Sequence, residues 1–272
     1  MIGTPPPIES LGLLQLALLW LASQPMWLGA LLVVGGGVAV GLLGSLLVSV
    51  ANPLPAIDFN VVGGAKFGYL AEVFAALVAF VLIDAGIRYT QARSEIQSEA
   101  MSLRLFGDTV AEMGDPRAAE VRQAVRDYAS SVVGTEYRWM ELGREHDGTR
   151  QALQRVVKVF LSLDVQGEHQ RLAQLQASRF LTRAMESRTQ RLNAVRPGLR
   201  TLIWTALIAN ALLAVGFNWF FASANLRAQL AMVAILSASV SLVVYMALVL
   251  SHPFTGDLAI GTRPYLALLA NS

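Results

Sequence analysis

The run 27–50, WLGALLVVGGGVAVGLLGSLLVSV, contains no charged residue. A helix needs about 20 apolar residues at ~1.5 Å each to cross ~30 Å of hydrocarbon. This run is long enough, opens on Trp27, a residue type favoured at membrane interfaces, and ends before Asn52-Pro53. Such a segment has no polar face to turn to water, so it constrains the whole chain to a membrane architecture. Three further runs, 67–88, 199–221 and 227–250, are read as spans on the same grounds. The last two are joined only by ASANL, which predicts an antiparallel helical hairpin. Composition agrees: 54% of residues are hydrophobic, 15% are charged and mean hydropathy is +0.51.

Charge then orients the chain. Of 21 Lys and Arg, 18 fall between Arg88 and Arg200, with 14 of the 19 acids. Near the membrane ends the bias is clearer, with Arg88, Arg93, Arg191, Arg196 and Arg200 on one side against Lys66 and Arg227 on the other. The positive-inside tendency therefore predicts that 89–198 and the C-terminal tail 251–272 are cytoplasmic. Stripes at Val121, Val125, Tyr128 and Val132, and at Leu172, Leu175, Leu181 and Met185, predict amphipathic helices in that region. Breaks are expected at GDPR and GREHDGT, and span two is expected to run on without interruption past Arg88. The fold expected is all-α, with helices 1 and 2 in 27–88, a helical insert in 89–198 and helices 3 and 4 in 199–250. Residues 1–26, apolar over too short a stretch and lacking a basic leader, are read as an interfacial or re-entrant segment in preference to a fifth crossing.

Much chemistry is missing. There is no cysteine, and His146, His169 and His252 lie on different segments without ligand spacing, so no metal site is expected. No nucleophile motif, P-loop or nucleic-acid motif occurs, so neither an enzyme nor a cofactor is expected. The triplet Gly35–Gly37 inside span one reads as close helix packing or, alternatively, as a pliable point in a gating helix.

Acids inside spans need explanation, because each costs ~2.5–3.5 kcal/mol at a helix centre. Asp84 stands four residues before Arg88, so an interfacial i,i+4 pair accounts for it. Glu72 lies inside the apolar run, and a structural role and a pore or relay role are both open. Val73, Leu77, Phe80 and Asp84 step by four, three and four residues along one face. That face is either core or, in a ring with the face inward, an apolar constriction with Glu72 and Asp84 biasing ion selectivity.

Two stretches carry a resemblance. The exit of span two, IRYTQARSEIQSEA, with an aromatic before Ala92-Arg93, is similar to the point where the pore helix of bestrophin channels leaves the membrane. The segment NLRAQLAMVAILSASVSLVVYMALVLSHPFTGD resembles the bacterial bestrophin-like family, whose last span ends in Pro-Phe-x-Gly-Asp, matched by Pro253, Phe254, Gly256 and Asp257. The resemblance implies a homo-oligomer, five copies in bestrophins, in the bacterial inner membrane, passing small inorganic ions through an apolar neck near Val73 and Leu77. It covers the architecture over about residues 27–260. Departures are clear: no further acid follows Asp257, which puts a calcium clasp in doubt, and span two lacks the proline near the outer end of the neck helix. The tail turn of Pro253, Phe254 and Asp257 is expected to dock on the insert. The expected function is a passive ion channel; the alternative is a membrane-anchored scaffold or signalling protein whose cytoplasmic helices hold a partner.

Overall fold

The computed structural model describes residues 20, 21, 23–51, 57–142, 144–195, 200–221 and 225–271, with the side chains of 57–62, 200–202 and 271 outside that description. The segment read over 1–26 lies mostly outside the described residues, as does most of the ASANL link. Every regular element among the described residues is helical. The chain divides into two compact units, one of Leu14–Ile87 with Pro197–Ser251 and one of Arg88–Arg196 with His252–Ser272. One helix, α2 (Ile57–Glu112), contributes residues to both.

The first unit is apolar. Helix α1 (Met26–Ala51) and helix α8 (Leu226–Leu250) match the apolar runs to within a residue, because no charged residue interrupts the interior of either. These two and Gly63–Glu112 within α2 are long and apolar enough to cross a membrane. Helix α7 (Arg200–Asn218) is shorter in its apolar part, Ile203–Asn218, than the span read over 199–221. Helices α1 and α8 meet where side chains are smallest. A Cβ at Gly37 or Gly41 would collide with the side chains of Ser241 and Ser237, so these two glycines let the backbones approach. By contrast a Cβ at Gly35 or Gly36 would meet nothing, so only the last glycine of the triplet serves that contact. Polar handles are few and local: Gln229 Nε2 donates to Ser45 Oγ at 3.3 Å and Tyr245 OH to the Met26 carbonyl at 2.9 Å. Asn225 caps α8 by accepting from the Arg227 and Ala228 amides. Around Val81, Leu207 and Ala247, helices α2, α7 and α8 form a second apolar contact that includes Phe74, Leu77, Val78 and Leu82.

The second unit is built on α2 from Arg88 onward. Helix α3 (Ala118–Ser131) runs without a break into a π-helical turn, Val132–Glu136, and α4 (Tyr137–Glu141). Helices α5 (Asp147–Leu161), α6 (Glu168–Asn193) and α9 (Arg263–Asn271) complete it. Val121, Val125, Tyr128 and Val132 are all buried, in one core with Ile96, Leu103, Phe106 and Phe160. The rings of Phe106 and Phe160 meet edge to face at 5.1 Å. His146 caps α5, its Nδ1 accepting the Thr149 amide at 3.2 Å, which gives that histidine a structural place.

The stripe read on α6 differs. Only Leu181 of its four residues is buried; Leu172, Leu175 and Met185 are exposed. The face α6 turns inward is Ala177, Leu181, Ala184, Arg188 and Arg191, stepping by four, three, four and three residues. Two of those positions are arginines, which apolar periodicity passes over.

Candidate functional site

In the apolar unit, α2 packs Phe74, Leu77, Val78, Val81 and Leu82 toward α7 and α8. At 3.6 residues per turn the opposite face carries Tyr69, Glu72, Val73, Ala76, Phe80 and Ile83, and all six are exposed. Val73 and Phe80, at 57% and 59% exposure, lie on that open face. Leu77 is half-buried and belongs to the packed side's margin, and Asp84 is half-buried beside it. The structure therefore divides the stripe Val73, Leu77, Phe80 and Asp84 between two environments. Glu72 is exposed and makes no hydrogen bond or ion pair among the described residues.

The tail residues lie in the other unit. Gly256 takes a φ of +71°, a backbone state that side chains disfavour, and closes the turn after α8. The Ile260 amide donates to the Pro253 carbonyl at 2.8 Å, and Tyr89 OH donates to the Leu258 carbonyl at 2.9 Å. Pro253 and Phe254 are buried, with the Phe254 ring edge-on to Tyr137 at 6.0 Å, whereas Asp257 is exposed.

A third site escaped the sequence reading. Inside the polar unit, Glu99 of α2, Glu136 of the π turn and Arg191 of α6 are each fully buried, and Arg188 nearly so. Arg191 donates through Nε to Glu99 Oε2 at 2.8 Å and through Nη2 to Glu99 Oε1 at 3.3 Å and Glu136 Oε2 at 2.8 Å. Its Nη1 reaches Met140 Sδ at 2.9 Å. Arg188 donates to Glu136 Oε1 at 2.6 Å and to Glu145 Oε1 at 3.1 Å. Tyr128 OH donates to Glu99 Oε1 at 2.5 Å, and the ring of Tyr265, from α9, lies 5.8 Å from the Arg191 guanidinium. The π turn is wider than an α turn, which brings Glu136 back onto the face already held by Val121, Val125, Tyr128 and Val132.

Electrostatics here is set by burial. Tyr128 and Tyr265 are held well above the usual phenol range, first by burial and then, for Tyr128, by the neighbouring Glu99 carboxylate. For Arg191 burial works against the charged form, but the Glu99 and Glu136 carboxylates outweigh it and keep the guanidinium charged. Glu99 and Glu136 are set against Arg191 and Arg188, with the half-buried Glu145 as a third carboxylate on Arg188, so ion pairs tie α2, α6 and the π turn in a clasp, with the Tyr265 ring of α9 over Arg191. No grouping of acids and histidines among the described residues has metal-site composition. The signal available in the sequence was Arg188 and Arg191 in register with Ala177, Leu181 and Ala184.

A family model described as the Bestrophin-like domain matches residues 35–265, which takes in all three of these sites. Comparison with curated proteins finds no significant match.

Proposed function

The chain belongs to the bestrophin-like family, and from that premise we propose that it is a passive ion channel and not an enzyme. In this reading several copies, five as in the bestrophin channels, close into a ring in the bacterial inner membrane, with the open face of α2 around an axial pore. Helices α1, α2, α7 and α8 cross the bilayer, and residues 89–198 and the C-terminal tail are cytoplasmic. Helix α7, Arg200–Asn218, is 19 residues long, which at ~1.5 Å per residue comes close to the ~30 Å required. The partners are lipid, further copies of the chain and small inorganic ions.

One observation carries the proposal: Glu72 stands, without a protein partner among the described residues, on the face of a membrane-length helix that its own bundle leaves open. A carboxylate facing lipid is costly, so such an acid is expected to face water or a neighbouring chain. A ring around an aqueous axis supplies both. Val73 and Phe80 on the same face would form the apolar neck, with Leu77 and Asp84 at its margin.

Purified protein in liposomes tests the reading. The expected result is dissipation of an imposed ion gradient without an energy source, together with an intact mass of five chains. Monomers or dimers that conduct nothing would reject it. The scaffold reading has its own support in Leu172, Leu175 and Met185, apolar residues left exposed along α6. It requires the same preparation, correctly assembled, to be silent.

A further inference from the structure

Between α2, α3 and α9 the polar unit holds a groove of about 100 Å³. Leu103, Val125 and Leu268, all buried, form its floor, while half-buried Gly107 and exposed Ala111 stand at its mouth with Arg104, Asp108 and Arg122. We infer that this groove is a binding site for a small monocarboxylate with a short apolar chain.

Three observations converge on that ligand. The first is shape. Gly107 lies inside α2, has no positive φ, and a Cβ placed there would meet no atom within 4 Å. Neither backbone geometry nor a neighbouring side chain requires a glycine there, although glycine weakens a helix interior; what its missing side chain leaves is the open space of the groove. The second is charge. Arg104 faces Asp108 at 3.9 Å, which sets one positive against one negative group, while Arg122 makes no ion pair or hydrogen bond among the described residues. The rim thus has one guanidinium to spare, matched to a single negative charge and shaped to hold a carboxylate through two donors. The third is the floor, which is aliphatic throughout, so an inorganic anion would leave it unfilled. At this volume the site takes a ligand of about four to six non-hydrogen atoms, the size of butyrate. Because Leu268 belongs to α9, an occupied groove would also bear on the seating of the C-terminal helix.

This inference does not depend on conduction. The test is titration of the full-length protein in detergent with sodium butyrate, followed by calorimetry and by ligand-observed NMR. Saturable millimolar binding is expected, weakened at least about tenfold by Arg122→Gln, which removes the carboxylate's partner. Gly107→Leu should abolish binding by filling the groove, and Gly107→Ala should weaken it; both keep a helix-forming residue, and the melting temperature reports whether each variant is folded. Arg126→Gln, an exposed arginine on the same helix but outside the groove, should leave binding unchanged. No saturable binding, inorganic phosphate binding as tightly as butyrate, or butyrate binding that survives both Arg122→Gln and Gly107→Leu would each overturn the assignment.

Discussion

The contact between α1 and α8 and the contact between α2 and α6 solve the same problem by opposite means. In the apolar unit two helices approach because Gly37 and Gly41 remove side chains opposite Ser241 and Ser237. In the polar unit Arg191 of α6 ties to Glu99 of α2 and to Glu136 of the π turn, with all three side chains fully buried. A membrane supplies little hydrophobic drive between helices, so close backbone packing has to supply the attraction. In the polar unit an apolar core already supplies the drive, and a buried ion network adds definition of register at a desolvation cost. The first contact is therefore sensitive to added volume and the second to removed charge.

Breaking the clasp gives the largest expected effect. Arg191→Met leaves Glu99 and Glu136 buried without their main partner and should cost about 3–5 kcal/mol, read from chemical denaturation of the protein in detergent. A loss below about 1 kcal/mol would show that water enters the site and that the clasp is not sealed. Next comes the small-residue contact. Gly41→Leu should cost about 1–3 kcal/mol through overpacking against Ser237 and Val233, while Gly36→Leu should cost much less, since a side chain there meets open space. Equal costs would contradict the packing assigned to α1.

Tyrosines sharpen the comparison further. Tyr128→Phe removes the donor to Glu99 and should cost about 1–3 kcal/mol. Tyr265→Phe removes a buried hydroxyl that has no hydrogen-bond partner among the described residues and should be close to neutral. The smallest effect is on pH dependence. Burial raises Tyr128, Tyr137 and Tyr265 above the ordinary phenol value, so these groups stay protonated in the folded protein while those of the unfolded chain ionise near pH ~10. Their contribution is fully present below about pH 10 and is lost as pH rises toward the folded values. Denaturation midpoints at about pH 8 and about pH 11 should differ in that direction, and Tyr128→Phe should reduce the difference.

The same contrast explains what could be read from the sequence. Long apolar runs became α1 and α8 with their ends nearly in place, since length and apolarity alone decide such helices. Helix α2 begins at Ile57, ten residues before the span read from Phe67, because Asp58, the Gly63-Gly64 pair and Lys66 conceal its start. The stripe on α6 was misplaced for a deeper reason. Hydrophobic spacing counts carbon, and α6 turns Ala177, Ala184, Arg188 and Arg191 inward while leaving Leu172 and Leu175 outside. On α2 the steps of four, three and four set Val73, Leu77, Phe80 and Asp84 near one another, but only the positions of α7 and α8 decide that Leu77 packs and Val73 does not.

The proposed channel stands or falls on Glu72, and the most direct measurement is the reversal potential of the reconstituted protein in a salt gradient, wild type against Glu72→Gln. The account predicts a passive current whose preference for cations over anions falls when the carboxylate is removed. A conducting wild type with an unchanged reversal potential in the variant would contradict the assignment of Glu72 and the open face of α2 to the pore.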